Sequence, residues 1–478
     1  MLDIEKTEKK IVVLGAGITG LTVAWELSKT FKNQVVLLEK ESIIGGLATT
    51  FKEGVLSLDI GSHRLHDDGS EVFRIIKELC GNGLLQRDRK GLIYIKDKYI
   101  NYPPTVSDIL TAFGIVDCIR FCVDLFIARI ISILRRDKPS DFESFTKSEI
   151  GSSLYERFYK PYAMKLWAMN PMKISKEPAQ NRVRKFTFTS MFRGLKKKFK
   201  KKQPVYYYYP SKGIGYLSDR IKEEFISNGG KLISASAIQK FEIVNNKIAT
   251  VSYRKKDEAL ANLETSILIS SIPMNVLHSS IKLESDNGTL PIFGLDWRCL
   301  RILYLITPDK IPCDNETFYF PETDIIFGRV SEVNKYSPEL NKLSDKSVLT
   351  LEIPCSDGDE LWNMDDLELA KICVEELQKV NILKRDGTGK FECFSKKIKN
   401  LYPLYVLGWR KEYDRIYKRL DSVENLFMIG RTALFLHCNI DHCMDMGLKL
   451  ARFIVENKGN KSGWDNIVKD FFDFRVRE

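Results

Sequence analysis

The sequence predicts an α/β fold in which a largely parallel sheet carries helices on its faces. Three observations support that expectation. An apolar strand at residues 11–14 runs through a glycine-rich loop into an apolar helical pattern. A second apolar strand, "QVVLLEK", follows and ends on an acid, Glu39. Near the C-terminus another apolar strand, "LFMIG", delivers Gly430 and Arg431 to a loop, and a helix starts near Asp441. Strands alternating with helical patterns in this way belong to parallel sheets.

The segment "KKIVVLGAGITGLTVAWELSK" supplies the first element. Gly15 permits the tight turn, Gly17 lets backbone approach a pyrophosphate, and Gly20 lets helix and strand pack closely. Ile18 and Thr19 open a helix whose first N–H groups have no intrahelical partner and can point at phosphate. Glu39, about 20 residues on, lies where a carboxylate accepts hydrogen bonds from a ribose diol, and Lys40 follows it. A 2′-phosphate beside Glu39 would cost on the order of several kcal/mol at an effective dielectric near 20. NAD and FAD remain as ligands; NADP does not.

At 478 residues, 44% hydrophobic and 29% charged, the chain suits two or three domains, or one large enzyme with an interleaved lid. The opening "MLDIEKTEKK" has no apolar core and does not read as a secretory signal. Ten cysteines are scattered without CxxC pairs, and neither Cys118/Cys122 nor Cys438/Cys443 has a partner set at zinc spacing. Reduced thiols in a cytoplasmic protein are expected. The net charge of +11 fits simple solubility, an anionic substrate, or an anionic membrane surface. Much of the excess sits in "FRGLKKKFKKK" (192–202), where Arg193, Lys196, Lys197, Lys198, Lys200, Lys201 and Lys202 crowd together. No stacking platform or recognition motif accompanies that charge, so nucleic acid is not an expected partner.

The segment "FGIVDCIRFCVDLFIARIISILRR" (113–136) is apolar enough to raise the question of a membrane span. Each large apolar side chain favours insertion by roughly 0.5 kcal/mol, whereas Asp117, Arg120, Asp124 and Arg129 each oppose it by about 3 kcal/mol. The charges win. Asp117, Arg120 and Asp124 share one helical face, and the apolar stripe opposite is expected to be buried core, with a lipid-contacting surface helix as the alternative.

"EKESIIGGLATT" places Gly45 and Gly46 shortly after Glu39, with Leu47 next. Here the sequence resembles the flavoprotein superfamily of amine oxidases, protoporphyrinogen oxidases, phytoene desaturases and UDP-galactopyranose mutases. In that group a glycine pair follows the ribose acid and lies along the FAD pyrophosphate. Amine oxidases usually carry arginine after the pair, so Leu47 counts against a simple amine oxidase. The resemblance continues through residues 144–175, 206–241, 327–338, 402–409 and 425–451. It implies FAD as cofactor, Ile238 on the adenine side, Gly430 and Arg431 on the flavin–pyrophosphate side, and Ile440 and Asp441 at the isoalloxazine ring.

"DIGSHRLHDDGS" (59–70) holds two of the five histidines. His63 and His66 lack the converging partners a metal needs, and no nucleophile elbow supports a Ser–His or Cys–His reading. No metal is expected. The mutases and several protoporphyrinogen-oxidase-like sequences carry similar glycine–histidine runs beside the flavin. That resemblance makes His63 and Arg64 active-site candidates, with Arg64 pairing bidentately to an anion. A purely structural loop is the competing account.

The expected architecture is a discontinuous Rossmann-type FAD-binding domain, residues 1–90, 205–290 and 395–478, with an inserted α+β substrate domain. The insert comprises 91–204, largely helical, and 291–394, a sheet over the flavin. The leading function is an FAD-dependent oxidoreductase that moves a hydride from an organic substrate to flavin N5. The alternative is a redox-neutral isomerase of nucleotide sugars resembling UDP-galactopyranose mutase, for which Arg64, Arg329 and Arg410 are candidate anion ligands. A third class, resembling the Rab GDP-dissociation inhibitors, would bind protein and prenyl groups without catalysis; the intact glycines and Glu39 argue against it. The expected partner is a small anionic or amphipathic substrate, with contact at the inner membrane surface as an open possibility.

Overall fold

The computed structural model describes residues 8–134, 139–182, 205–256, 258–283, 292, 294–308, 310–311, 313–343, 346–384 and 390–476; the basic run at 192–202 lies outside them. From the N-terminus, β1 (Lys10–Leu14) leads into α1 (Ile18–Thr30) and β2 (Val35–Leu38). The hairpin β3 (Thr50–Glu53) and β4 (Leu56–Asp59) precedes α2 (Glu71–Cys80) and β5 (Leu84–Asp88). Then come the hairpin β6 (Gly91–Ile95) and β7 (Lys98–Tyr102) and the long helix α3 (Val106–Leu134), which is kinked at Gly114. After a helical stretch, β8 (Tyr206–Pro210) and α4 (Gly215–Ser227) lead to β9 (Lys231–Ile233), β10 (Ser236–Val244), β11 (Lys247–Lys255) and β12 (Ala261–Ser270). The strands β13 (Trp297–Thr307), β14 (Thr317–Tyr319), β15 (Arg329–Glu332) and β16 (Ser347–Cys355) follow. Helix α5 (Asp366–Lys379), β17 (Glu392–Pro403), α6 (Trp409–Asp421), β18 (Leu426–Met428) and α7 (Ile440–Glu456) complete the main elements.

Two seven-stranded sheets result. The first runs β10-β11-β12-β1-β2-β9, with β18 beside β12. Its centre is parallel: Leu14 pairs with Leu38 on one side and Ser270 on the other. Every residue of β1 and β2 except Lys10 is buried, as expected of a parallel sheet covered on both faces. The strands of this sheet come from residues 10–38, 231–270 and 426–428. Helices α1 and α7 pack so closely that a Cβ on Gly447 would lie 2.9 Å from Thr22.

The second sheet runs β17-β13-β16-β15-β14-β6-β7, antiparallel except between β14 and β6. One face buries Leu303, Leu305, Leu349 and Leu351 against Leu369, Cys373 and Leu377 of α5. The other packs Ile302, Tyr304 and Val348 with Phe51, Leu58, Tyr207 and Tyr209. That second cluster ties the sheet to the β3–β4 hairpin and thus places the 59–66 loop between the two units.

Three features differ from the sequence-based expectation. Residues 91–204, expected to be largely helical, begin with the β6–β7 hairpin, whose turn residues Lys96 and Asp97 both take positive φ. Such turns favour Asn-Gly, so Lys-Asp gave no hairpin signal. Strand β17 continues the second sheet to Pro403, past the expected boundary at 395; it is an edge strand rich in lysine and lacks an apolar alternation. The apolar stripe of α3, expected in the core, is largely exposed. No described helix is long and apolar enough to cross a membrane.

Candidate active site

The glycine loop follows from steric limits. A Cβ on Gly20 would sit 1.9 Å from the Gly15 carbonyl oxygen, so only glycine lets α1 lie this close to the turn. At Gly17 a Cβ would meet no atom within 4 Å, so that side of the loop is open. Gly17 is also the N-cap of α1 and supplies no side chain to satisfy the helix's first N–H groups. Open space and unsatisfied donors coincide there, which is the condition for binding a pyrophosphate.

Neighbouring elements complete the cradle. Glu39 Oε2 accepts the Ala16 N–H at 2.6 Å and Oε1 accepts that of Glu41 at 2.9 Å, which fixes the carboxylate beside the loop. Gly45 donates to the Ala16 carbonyl at 2.8 Å, and a Cβ on Gly46 would press on Gly17 Cα at 3.2 Å. Ser236 donates to the Glu39 carbonyl at 2.8 Å, so Ile238 in β10 follows closely on the ribose acid. Lys40 is exposed. The residues present therefore fit a dinucleotide. Thr19 is buried against Gly430, where a Cβ would meet Thr19 Oγ1 at 3.0 Å, so its side chain serves packing while its N–H stays in the first turn of α1. One expectation changes. Arg431 donates to the Leu401 carbonyl at 2.6 Å and to that of Cys438 at 2.7 Å, so it clamps its own loop to β17 instead of reaching toward phosphate.

Leu47 and Glu39 line an open cleft of about 860 Å³ between the glycine-loop side and β17. Phe51, Ile60 and Ile398 make it partly apolar, and Lys396, Lys397 and Lys399 bring positive charge. Lys396 Nζ lies 4.0 Å from the Phe51 ring centroid. These β17 lysines are not singled out by the sequence, because a lysine-rich edge strand carries no apolar alternation to mark it.

The 59–66 loop is stitched into both units. Asp59 accepts from Thr50 Oγ1 at 2.6 Å, from the Tyr209 hydroxyl, and from the Ile214 N–H, while its carbonyl accepts the Tyr304 hydroxyl at 2.7 Å. Ser62 donates its N–H to Glu352 at 3.0 Å and pairs with the Ser331 hydroxyl. Arg64, expected to meet a substrate anion, is instead 5% exposed and bound inside the second sheet. It donates to Glu316 at 3.1 Å, Thr317 at 2.7 Å, Tyr319 at 3.2 Å and Tyr336 at 3.2 Å. The internal carboxylate has taken the role predicted for a ligand.

Arg329 also has an internal partner. Its Nε and Nη2 bind Glu352 at 2.9 and 2.7 Å, leaving Nη1 without a partner among the described residues. Its electrostatic neighbours are His63, Tyr319 and Tyr402. Tyr402 in turn lies 5.4 Å from the His437 ring, in the loop that carries Gly430. Arg410 does not join this group: it stacks on Trp409 at 4.3 Å and Phe472 at 4.1 Å, next to the first sheet's core. Glu352, Tyr402 and His437 were not anticipated, because their relation to His63 is created only by sheet pairing. Ile440 and Asp441 form the first turn of α7, as expected, with Asn439 as its N-cap.

His63 Nε2 lies 2.9 Å from the Ile60 carbonyl, to which it donates, so Nδ1 is left as an acceptor. Burial pushes its pKa down and the nearby Asp59 carboxylate partly offsets this; burial pushes Asp59 up. A neutral imidazole therefore persists at pH 7, beside a cavity of about 20 Å³ that has room for one water. Because the folded pKa of His63 is below its unfolded value, the unfolded chain gains its proton first. The associated stability is complete above about pH 6.5 and is lost as pH falls through the folded pKa. His63→Asn is expected to flatten the acid-side decline of the melting temperature in that window; an unchanged slope would show that His63 does not titrate there.

The fold and site define a class: a discontinuous Rossmann-type dinucleotide-binding unit with an antiparallel-rich sheet unit set over its glycine loop. Residues 13–79 match the NAD(P)-binding Rossmann-like domain. Over the whole chain, the structure is similar to that of a reduced UDP-galactopyranose mutase, with 18% identity, 98% of each chain covered and a TM-score of 0.80. A putative protoporphyrinogen oxidase from Exiguobacterium sp. 255-15 aligns at 14% identity and TM-score 0.70, over 94% of this chain and 99% of that one. Putrescine oxidase bound to putrescine aligns at 12% identity and TM-score 0.61, over 94% and 99%. These likenesses establish the fold. The all-trans-retinol 13,14-reductase of Danio rerio is 38% identical over 78 residues, which is 16% of this chain and 13% of that protein.

Proposed function

We propose that the chain is an FAD-dependent oxidoreductase acting on an anionic or amphipathic organic substrate. The observation that carries this reading is the dinucleotide cradle at Gly17, Glu39 and Gly46 opening into the cleft walled by β17. The whole-chain likeness to two oxidases supports the same reading. FAD, when bound, supplies the two-electron acceptor chemistry. The protein's part is to bind and orient. The α1 N-terminus and Gly46 would hold the pyrophosphate and Glu39 the ribose, and the first turn of α7 would offer its helix dipole to the flavin. Neutral His63 offers Nδ1 as a proton acceptor, Arg329 Nη1 is available to an anionic substituent, and Lys396 and Lys397 bring positive charge to a cleft that also carries Glu39, Glu41 and Asp366.

The redox-neutral isomerase of nucleotide sugars is a second reading, favoured by the 0.80 TM-score and 98% coverage of the mutase. Against it, Arg64 is committed to an internal carboxylate, Arg410 is stacked on Trp409 and Phe472 beside the first sheet's core, and Arg329 gives two of its donors to Glu352. One experiment separates the two. The purified protein is expected to be yellow, with one non-covalent FAD per chain. Anaerobic addition of the true substrate, sought among polyamines, porphyrinogens, polyprenyl compounds and UDP-sugars, should bleach the flavin with one equivalent per site. Turnover of a UDP-sugar only after prior reduction, to a product of equal mass, would establish the isomerase instead.

A further inference from the structure

We propose that the outward face of α3 docks the protein on an anionic bilayer surface. Surface helices of soluble proteins normally turn polar residues to water. Helix α3 is turned the other way. Asp117 pairs inward with Arg157 and with Lys96, Asp124 accepts the Ser153 N–H at 2.9 Å, and Arg129 reaches the Glu149 carboxylate at 3.4 Å. With buried Phe121 and Leu125, these residues form the face packed on the protein.

The opposite face carries ten large apolar side chains between residues 115 and 134, each 42–83% exposed, with Val116, Phe126, Ile131, Ile133 and Leu134 among them. At 1.5 Å per residue the stripe is roughly 30 Å long. The largest apolar patch on an ordinary soluble monomer is about 300–600 Å², and ten such side chains in one row exceed it. Four charged residues between 115 and 134 exclude a span, so this part of α3 would lie in the plane of the headgroups with its apolar face down.

The surrounding charge selects the occupant. Arg120 is exposed on the outer stretch of the helix. Lys98 Nζ binds the Thr111 carbonyl at 3.0 Å and Lys96 Nζ lies 4.9 Å from the Phe113 ring, both before the Gly114 kink, and Lys96 also reaches Asp117 just after it at 3.3 Å, so the lysines sit at the start of the exposed stretch. A second copy of a chain with net charge +11 would be repelled, whereas anionic headgroups are attracted.

The test is flotation of the full-length chain with phosphatidylglycerol-containing vesicles and with pure phosphatidylcholine vesicles. The wild type is expected to float with the anionic vesicles, and to do so more weakly with neutral vesicles or at high salt. Phe126→Glu combined with Ile130→Glu should weaken binding by roughly tenfold or more at an unchanged melting temperature, because both positions are exposed. Failure of the wild type to float, or equal flotation of the variant, would overturn the proposal. So would a dimer in light scattering that the same double substitution disperses, which would assign the face to a second copy.

Discussion

Gly17→Val is expected to give a folded protein that purifies without flavin. The two consequences separate because of where the side chain would go. The native backbone at this position has φ −69° and ψ 171°, which valine adopts without strain, and a Cβ there meets no protein atom within 4 Å. The free space is the approach to the α1 N-terminus, so the added methyl groups would stand where a pyrophosphate must lie. Gly20→Ala is the contrasting control: its Cβ would overlap the Gly15 carbonyl at 1.9 Å, and the fold itself should be damaged. Absorbance at the flavin band and a thermal melt of the apoprotein distinguish the two variants. Full FAD occupancy in Gly17→Val would place the phosphates elsewhere and remove the basis for the oxidoreductase reading.

The legible parts of this protein were those governed by local constraints. Gly15, Gly17, Gly20 and Glu39 form one strand–loop–helix–strand unit, so their spacing alone defines a cradle. The start of α7 at Ile440 is similarly local, set by Asn439 and the apolar strand before it. The arginines show where this ends. Nothing near Arg64 in sequence foretells Glu316, which reaches it only when β14 pairs with β6 and β15. Arg329 meets Glu352 by the pairing of β15 with β16, in which those two residues are directly opposite. A basic residue in a glycine–histidine run reads as a ligand-binding group until its internal carboxylate is known. The α3 stripe failed for another reason: periodicity identifies an apolar face but not what covers it.

Arg64→Ala is expected to be the most destabilising substitution in the 59–66 loop. The guanidinium and Glu316 are 5% and 3% exposed, so removing one partner leaves a buried charge without its counter-ion. Breaking a pair of this kind costs about 3–5 kcal/mol. Among the described residues the Glu316 carboxylate then keeps only the Lys90 N–H at 2.7 Å as a donor, and Thr317, Tyr319 and Tyr336 lose the group that joins them. Arg64→Lys should recover little, because one ammonium cannot span four acceptors spread around a planar fork. Glu316→Gln in the Arg64→Ala background removes the stranded charge and should restore part of the loss, a coupling that a double-mutant cycle in denaturant reads directly. Below its lowered melting temperature the Arg64→Ala protein should keep its flavin and near-normal turnover. The opposite pattern, wild-type stability with a raised KM for an anionic substrate, would return Arg64 to the ligand-binding role and show that its bond to Glu316 opens when substrate arrives.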